Sequence, residues 1–239
     1  MRKYIVCRVR NCIDLIEEFL DHHSDFDGFV FYDDHSDDGT REILDNHDKV
    51  VKVVDDGKES WSEDSWKNQL IQRQTACDEA IKIMEDDDFL FVVDADEFMD
   101  FDHGLIESET ALIMNMYHFI MTDEDKGESI SDRGWCLKSP QVQMMGCKKK
   151  NFSRLAHHRT ILIKDGYNKP PLGVVRHYGR ARGEKRFNDK CSYYIENTNN
   201  ASYKKRWSRR KGKGVYRVSE ISEDGEFMNW NNFQSNNNG

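Results

Sequence analysis

Residues 89 to 97, Phe-Leu-Phe-Val-Val-Asp-Ala-Asp-Glu, set two carboxylates one residue apart where an apolar run ends. If that run is a strand, Asp94 and Asp96 share one face with α-carbons roughly 6.5 to 7 Å apart. Two carboxylates so placed can serve one hard divalent cation, directly or through a water, while phosphate oxygens fill the remaining positions. The competing reading is an acidic strand end bathed in solvent.

The elements that must position this pair are legible around it. Tyr4 to Val9 reads as a buried strand, and Asp14 to His22 carries Leu15, Ile16, Phe19 and Leu20 at helical spacing. Gly28 to Tyr32 is a second strand, ended by the turn-forming run Asp33-Asp34-His35-Ser36-Asp37-Asp38-Gly39-Thr40. Ser36, Asp37 and Thr40 are expected to offer cap oxygens to a helix over 41–46. Val50 to Val54 reads as a third strand, and a helix from about Lys67 to Met84 precedes the strand that ends in Asp94. Strands alternating with helices at these lengths predict an α/β fold with a mostly parallel central sheet covered on both faces. Beyond it, Thr110 to Thr122, His158 to Lys164 and Gly173 to Tyr178 read as strands in a less regular part. The polar stretch Asp123 to Asn151, with Gly127, Gly134, Pro140 and Gly146, reads as loop or lid. The domain plan expected is a catalytic domain over 1–200, divided near residue 100, and a basic, then Asn-rich extension over 201–239, frayed at its end.

With 239 residues, 37% of them hydrophobic, the chain can bury a real core. No apolar stretch approaches the roughly 20 residues that span a bilayer. The short run Tyr4 to Cys7, followed by Arg8 and Arg10, is no signal peptide, so a soluble, cytoplasmic protein is expected. The six cysteines show no Cys-x-x-Cys pair or zinc spacing and read as reduced, mostly core thiols. Net charge is -9 but uneven: residues 1–130 hold 12 basic and 35 acidic side chains, residues 131–239 hold 23 and 9. An acidic half that collects metal and a basic half that faces anions would suit a metal-bound diphosphate; two uneven solvated surfaces would look the same.

The ordered set Arg10-Asn11, Glu17 to His23, Phe31 to Thr40, Arg73-Gln74 and Val93 to Phe98 resembles the nucleotide-sugar-dependent glycosyltransferases of the GT-A fold, nearest to family 2-like members. The likeness spans roughly residues 4–100, with a fainter echo at His177-Tyr178 and Lys190. It implies nucleotide contacts at Arg10, Asp33, Asp34, Arg73 and Asp94. It also implies a Mn²⁺ or Mg²⁺ ion on Asp94 and Asp96, with His177 as third ligand, stabilising the departing diphosphate. It places the general base of an inverting transfer at Asp123, with Glu124 second and Asp125 and Glu128 close by, although the Glu-Asp pair common at that position is missing. Arg180, Arg182, Lys185 and Lys190 would close over the diphosphate. The partners implied are a nucleotide-sugar donor, a UDP-sugar first, and a hydroxyl acceptor on a glycan or other molecule; nothing in the sequence speaks to oligomeric state.

Two other classes stay open. A nucleotidyltransferase on a related sheet also needs a carboxylate-held metal, but its usual Gly-rich loop is absent, since Gly28 alone precedes residue 39. A nucleic-acid-binding protein could use residues 203–217, where eight of fifteen are basic and Trp207 and Tyr216 could stack on bases. The same stripe could touch an anionic membrane surface or an acidic acceptor.

Overall fold

The computed structural model describes residues 1–55, 57, 65–125, 129–156, 160–197, 201–209, 211–212, 215–216, 218 and 227–230. The chain forms two compact units that interleave in sequence: residues 1–115 with 142–174, and residues 116–141 with 175–239.

The first unit holds β1 (Lys3–Val9), α1 (Ile16–His22), β2 (Gly28–Asp33), α2 (Thr40–Asn46), β3 (Val50–Val54), α3 (Ser65–Ile83), β4 (Phe89–Asp94) and β5 (Glu97–Phe101). The first four strands lie in the order β3-β2-β1-β4 and pair in parallel, with Val6 opposite both Val30 and Val92. This is a Rossmann-like α/β arrangement, and the alternation of side chains explains its two layers of helix. Phe29 and Phe31 point to one face, where Phe19 of α1 meets both rings and Phe98 edge-on. Val30, Tyr32, Leu90 and Val92 point to the other, packed with Ala76, Cys77 and Ala80 of α3. Each fully buried aromatic or aliphatic side chain here contributes about 1.5–3 kcal/mol of transfer free energy. The hairpin of β8 (Phe152–Ala156) and β9 (Thr160–Ile163) adds Phe152, Leu155 and Ile161 to the α3 side.

The stretch expected to be loop or lid contains instead a 14-residue strand, β7 (Trp135–Lys148). Its end pairs antiparallel with β4, Gly146 opposite Phe91. That glycine is a packing requirement, because a Cβ there would sit 2.8 Å from the Leu90 carbonyl oxygen and 2.9 Å from the Phe89 and Phe91 rings. Met145 and Cys147, either side of it, are fully buried.

The second unit takes the carboxyl-terminal part of β6 (Ala111–Thr122), the start of β7 and most of β10 (Gly173–Arg180), followed by α4 (Glu184–Asn197), α5 (Ala201–Ser208), β11 (Val215–Tyr216) and β12 (Phe227–Asn229). Here β11 pairs in parallel with the end of β6, and β12 antiparallel with the start of β7. Of Arg180, Arg182, Lys185 and Lys190, expected on a closing loop, Arg180 ends β10 and Lys185 and Lys190 lie in the first half of α4. Phe187, Cys191, Tyr194 and Ile195 form an apolar stripe at helical spacing and pack together, which is why the segment winds up. Glu128 and Gly127, the side chains of Tyr203 and Trp207, and the Asn-rich end from residue 231 lie outside the described residues. Among the described residues no helix is long and apolar enough to cross a membrane, and all six cysteines are free and buried.

Candidate functional site

The parallel register brings the carboxyl ends of β1, β2 and β4 to one edge, with Val9 opposite Asp33 and Arg8 opposite Asp94. An arginine within an otherwise apolar buried strand needs a counter-charge, and Arg8 finds it in Asp34, its Nη2 paired with Oδ2. Arg8 Nε donates to Gln72 Oε1 at 2.6 Å, and Gln72 Nε2 donates to Asp34 Oδ1 at 2.9 Å, closing a triangle among β1, α3 and the turn after β2. Arg10 Nη1 adds bonds to the Asp34 carbonyl (3.2 Å) and Oδ2 (3.4 Å). Asp34 is 0% exposed, so in this structure it presents no oxygen to a ligand and instead holds the two arginines in place. Asp33 is also buried; its Oδ1 accepts the Ser36 backbone N–H at 3.2 Å, and Arg41 Nη1 lies 3.9 Å from its Oδ2.

The turn between β2 and α2 departs from the capping role expected of it. Gly39, at φ 99°, is the N-cap residue, and the cap carries no side-chain hydrogen bond. The polar side chains reach across to the β1–α1 loop. Ser36 Oγ accepts from Asn11 N (2.9 Å), Thr40 Oγ1 from Cys12 N (2.7 Å) and Asp38 Oδ2 from Ile13 N (3.1 Å). The amides of Leu15 and Ile16 bond back to the Cys12 carbonyl. Asn11 holds a left-handed φ of 51°, and His35 one of 56°.

At β4, the strand stops at Asp94, and Ala95-Asp96 form a turn into β5. Asp96 therefore does not share a strand face with Asp94, as the sequence pattern had suggested; Glu97 ends the strand early because its buried Oε2 accepts the Asp94 N–H at 3.1 Å. Both carboxylates nonetheless act on the same buried thiol. Burial drives the Cys7 pKa well above its ordinary value, and the negative charges of Asp94 and, more weakly, Asp96 push it the same way. Asp94 Oδ1 accepts from Arg73 Nη2 at 2.6 Å. Arg73, on α3, is 3% exposed, while the Asp94 side chain is 23% exposed. Arg73 Nη1 lies 3.4 Å from Gln69 Oε1, and its buried Nε has no hydrogen-bond partner among the described residues.

Oxygen donors such as Asp94 and Asp96 suit Mg²⁺ or Mn²⁺. Among the described residues, however, no three His, Cys, Asp or Glu side chains gather to hold a metal.

In the second unit, His177 on β10 lies with its Nδ1 2.6 Å from Nδ1 of His118 on β6, one ring donating to the other. Asp123, just after β6, accepts the Val218 N–H on Oδ1 at 2.9 Å, and its own N–H donates to the Tyr216 carbonyl. Asp125 is buried and committed to the Thr122 N–H (2.5 Å) and hydroxyl (2.8 Å), while Arg133 donates to its carbonyl at 2.6 Å. On and just after α5, Lys204, Lys205, Arg206, Arg209 and Lys211 are exposed.

Sequence reasoning missed Arg8, Gln72 and His35. An arginine inside a strand-like apolar run was the available signal for Arg8; nothing marked Gln72. His35, within the quoted turn, has a buried Nδ1 without a hydrogen-bond partner among the described residues, 3.8 Å from Asp34 Oδ1.

No family model matches the chain, and no curated protein matches it. Among solved structures it is similar to HddC from Yersinia pseudotuberculosis, at 10% identity and a TM-score of 0.36 over 74% of this chain and 89% of that one. It is also similar to the CTP:phosphocholine cytidylyltransferase LicC from Streptococcus pneumoniae, at 11% identity and a TM-score of 0.31 over 100% and 97%. Likenesses this distant carry nothing about the chemistry of the site.

Proposed function

We propose that the chain is a nucleotide-dependent transferase that moves a sugar from a nucleotide-sugar donor, a UDP-sugar first, to a hydroxyl acceptor. The comparisons lend glycosyl transfer no support of their own, and nucleotidyl transfer from a nucleoside triphosphate is the rival reading. The observation that carries the choice is the stapled β1–α1 loop. A loop that cradles a triphosphate aims its backbone N–H groups at the anion. Here the N–H groups of Asn11, Cys12, Ile13, Leu15 and Ile16 are spent on Ser36, Thr40, Asp38 and Cys12. The carboxylates of Asp37 and Asp38 flank the same loop and oppose an approaching polyphosphate. Nucleotide binding is left to the edge formed by Arg10, Asp33, Arg73 and Asp94, with Asp34 as the buried anchor of Arg8 and Arg10.

Asp94 and Asp96 would hold a Mg²⁺ or Mn²⁺ ion, which when bound supplies Lewis-acid stabilisation of charge on the leaving diphosphate. Arg73 fixes the Asp94 carboxylate and brings a guanidinium suited to phosphate oxygens. Asp123 as general base rests on the sequence resemblance and is tested by its alanine variant.

One assay separates the readings. The chain is incubated with Mn²⁺ and UDP-, GDP- or dTDP-sugars while nucleoside diphosphate release is followed. In parallel it is given nucleoside triphosphates and sugar phosphates, and pyrophosphate release is followed. Diphosphate release that falls at least about a hundredfold in Asp94→Ala supports glycosyl transfer. Pyrophosphate release in its place establishes nucleotidyl transfer, and release undiminished in the Asp94→Ala, Asp96→Ala double variant removes these carboxylates from the mechanism.

A further inference from the structure

We infer that Arg73 is a resident counter-cation of Asp94 and makes divalent-cation binding at that carboxylate conditional on a nucleotide diphosphate. The inference rests on the function proposed above and deepens it. Arg73 is buried, donates to Asp94 Oδ1 at 2.6 Å, and keeps a buried Nε without an acceptor among the described residues. A guanidinium only partly satisfied in a buried position is costly, and its charge is balanced by the one carboxylate a metal would need.

A cation approaching Asp94 alone therefore meets a positive charge at hydrogen-bond distance from the oxygen it would bind, in surroundings that screen little. Nor do the described residues supply a third His, Cys, Asp or Glu ligand to offset that repulsion. A diphosphate changes both terms at once. Its oxygens complete the coordination sphere, and their negative charge balances the Arg73 guanidinium in place of Asp94. Asp94 is then released, in whole or in part, to the metal. Because coupling between two ligands is reciprocal, the metal must tighten the diphosphate by the same factor.

The test follows free Mn²⁺ by the electron paramagnetic resonance signal of the aquo ion as Mn²⁺ is titrated into the full chain. It is run with and without UDP, after subtraction of the Mn²⁺–UDP complex measured without protein. UDP is expected to tighten Mn²⁺ binding to the wild-type chain about tenfold or more. In Arg73→Gln, binding without UDP is expected to strengthen about tenfold and the effect of UDP to shrink accordingly, while Arg73→Lys keeps the conditionality. Wild-type chain that binds Mn²⁺ equally well with and without UDP overturns the inference whether or not the variants fold, and leaves metal-assisted transfer standing. Weaker UDP-free binding in folded Arg73→Gln overturns it too, by showing that Arg73 helps to build the site. Absence of Mn²⁺ uptake by any of these proteins in the presence of UDP overturns the inference and the metal-assisted reading together.

Discussion

Asn11 and Asp37 hold each other through a reciprocal pair of hydrogen bonds, Asn11 Nδ2 to Asp37 Oδ1 at 2.8 Å and Asp37 N to Asn11 Oδ1 at 2.9 Å. The pair locks the loop after β1 to the turn after β2, and Asn11 does so from a left-handed backbone at φ 51°. Asparagine tolerates that conformation better than most residues, and glycine best of all.

Replacement of Asn11 separates these two contributions. Asn11→Ala loses both side-chain bonds and adds backbone strain, for an expected loss of about 2 kcal/mol; Asn11→Gly loses the bonds alone, for about 1 kcal/mol. Urea denaturation of the two variants measures the order. A glycine variant no more stable than the alanine variant would show that the backbone at residue 11 carries no strain.

The β4–β7 contact gives a second pair of variants. Gly146→Ala places a methyl 2.8 Å from the Leu90 carbonyl oxygen, with aromatic rings at 2.9 Å on both sides, so β7 must shift. The expected cost is about 1–3 kcal/mol. Gly166→Ala meets nothing within 4 Å and has no positive φ, so it is expected to be neutral or stabilising by a few tenths of a kcal/mol, roughly, through the unfolded chain. Equal melting temperatures for the two variants would contradict the packing role assigned to Gly146.

This glycine also explains where sequence reading stopped. The strands β1, β2 and β4 and helices α1 and α3 announce themselves because each buries a continuous apolar run or a helical stripe around one sheet. In β7 two signals that mark a loop, Pro140 and Gly146, sit inside a strand, and the second is demanded by Leu90, 56 residues earlier. Glu97 hid the break between β4 and β5 in the same way: a charged residue reads as surface, yet this one is buried against the backbone of Asp94. At the site, the types and order of Asp34, Arg73 and Asp94 were legible. Their pairing was not, because ion pairs such as Arg8–Asp34 join residues 26 apart through a register that only the folded sheet defines.

The Arg8–Asp34 pair should behave as a buried ion pair. Asp34→Asn keeps the shape but leaves the Arg8 charge without its carboxylate, at an expected cost of about 3–5 kcal/mol. Arg8→Met alone strands the carboxylate and costs a similar amount. The double variant should lose much less than the sum, since each single change is costly mainly through the partner it leaves behind. Chemical denaturation of all four proteins closes the cycle, and additivity within about 0.5 kcal/mol would mean that the two charges do not depend on each other.

Alkaline pH tests the buried thiols. Burial pushes the Cys136 and Cys147 thiols up to about 12 from an ordinary 9.0, and burial moves Cys7 and Cys77 in the same direction. The folded state thus keeps protons that the unfolded chain gives up, so the contribution of these thiols to stability is whole below about pH 9 and is lost as pH climbs toward about 12. Each thiol adds a slope of at most about 1.4 kcal/mol per pH unit within that window. Tyr167, raised to about 12 chiefly by burial and then by Glu109, acts in the same sense. Denaturant midpoints taken at neutral pH and again near the middle of the window should fall steeply in the wild type. They should fall less steeply in the Cys136→Ala, Cys147→Ala double variant, whatever its starting stability. An unchanged slope in that variant would show that these two thiols titrate alike in the folded and unfolded chain, and so that burial at the β4–β7 contact and on the second unit's part of β7 leaves their protons undisturbed.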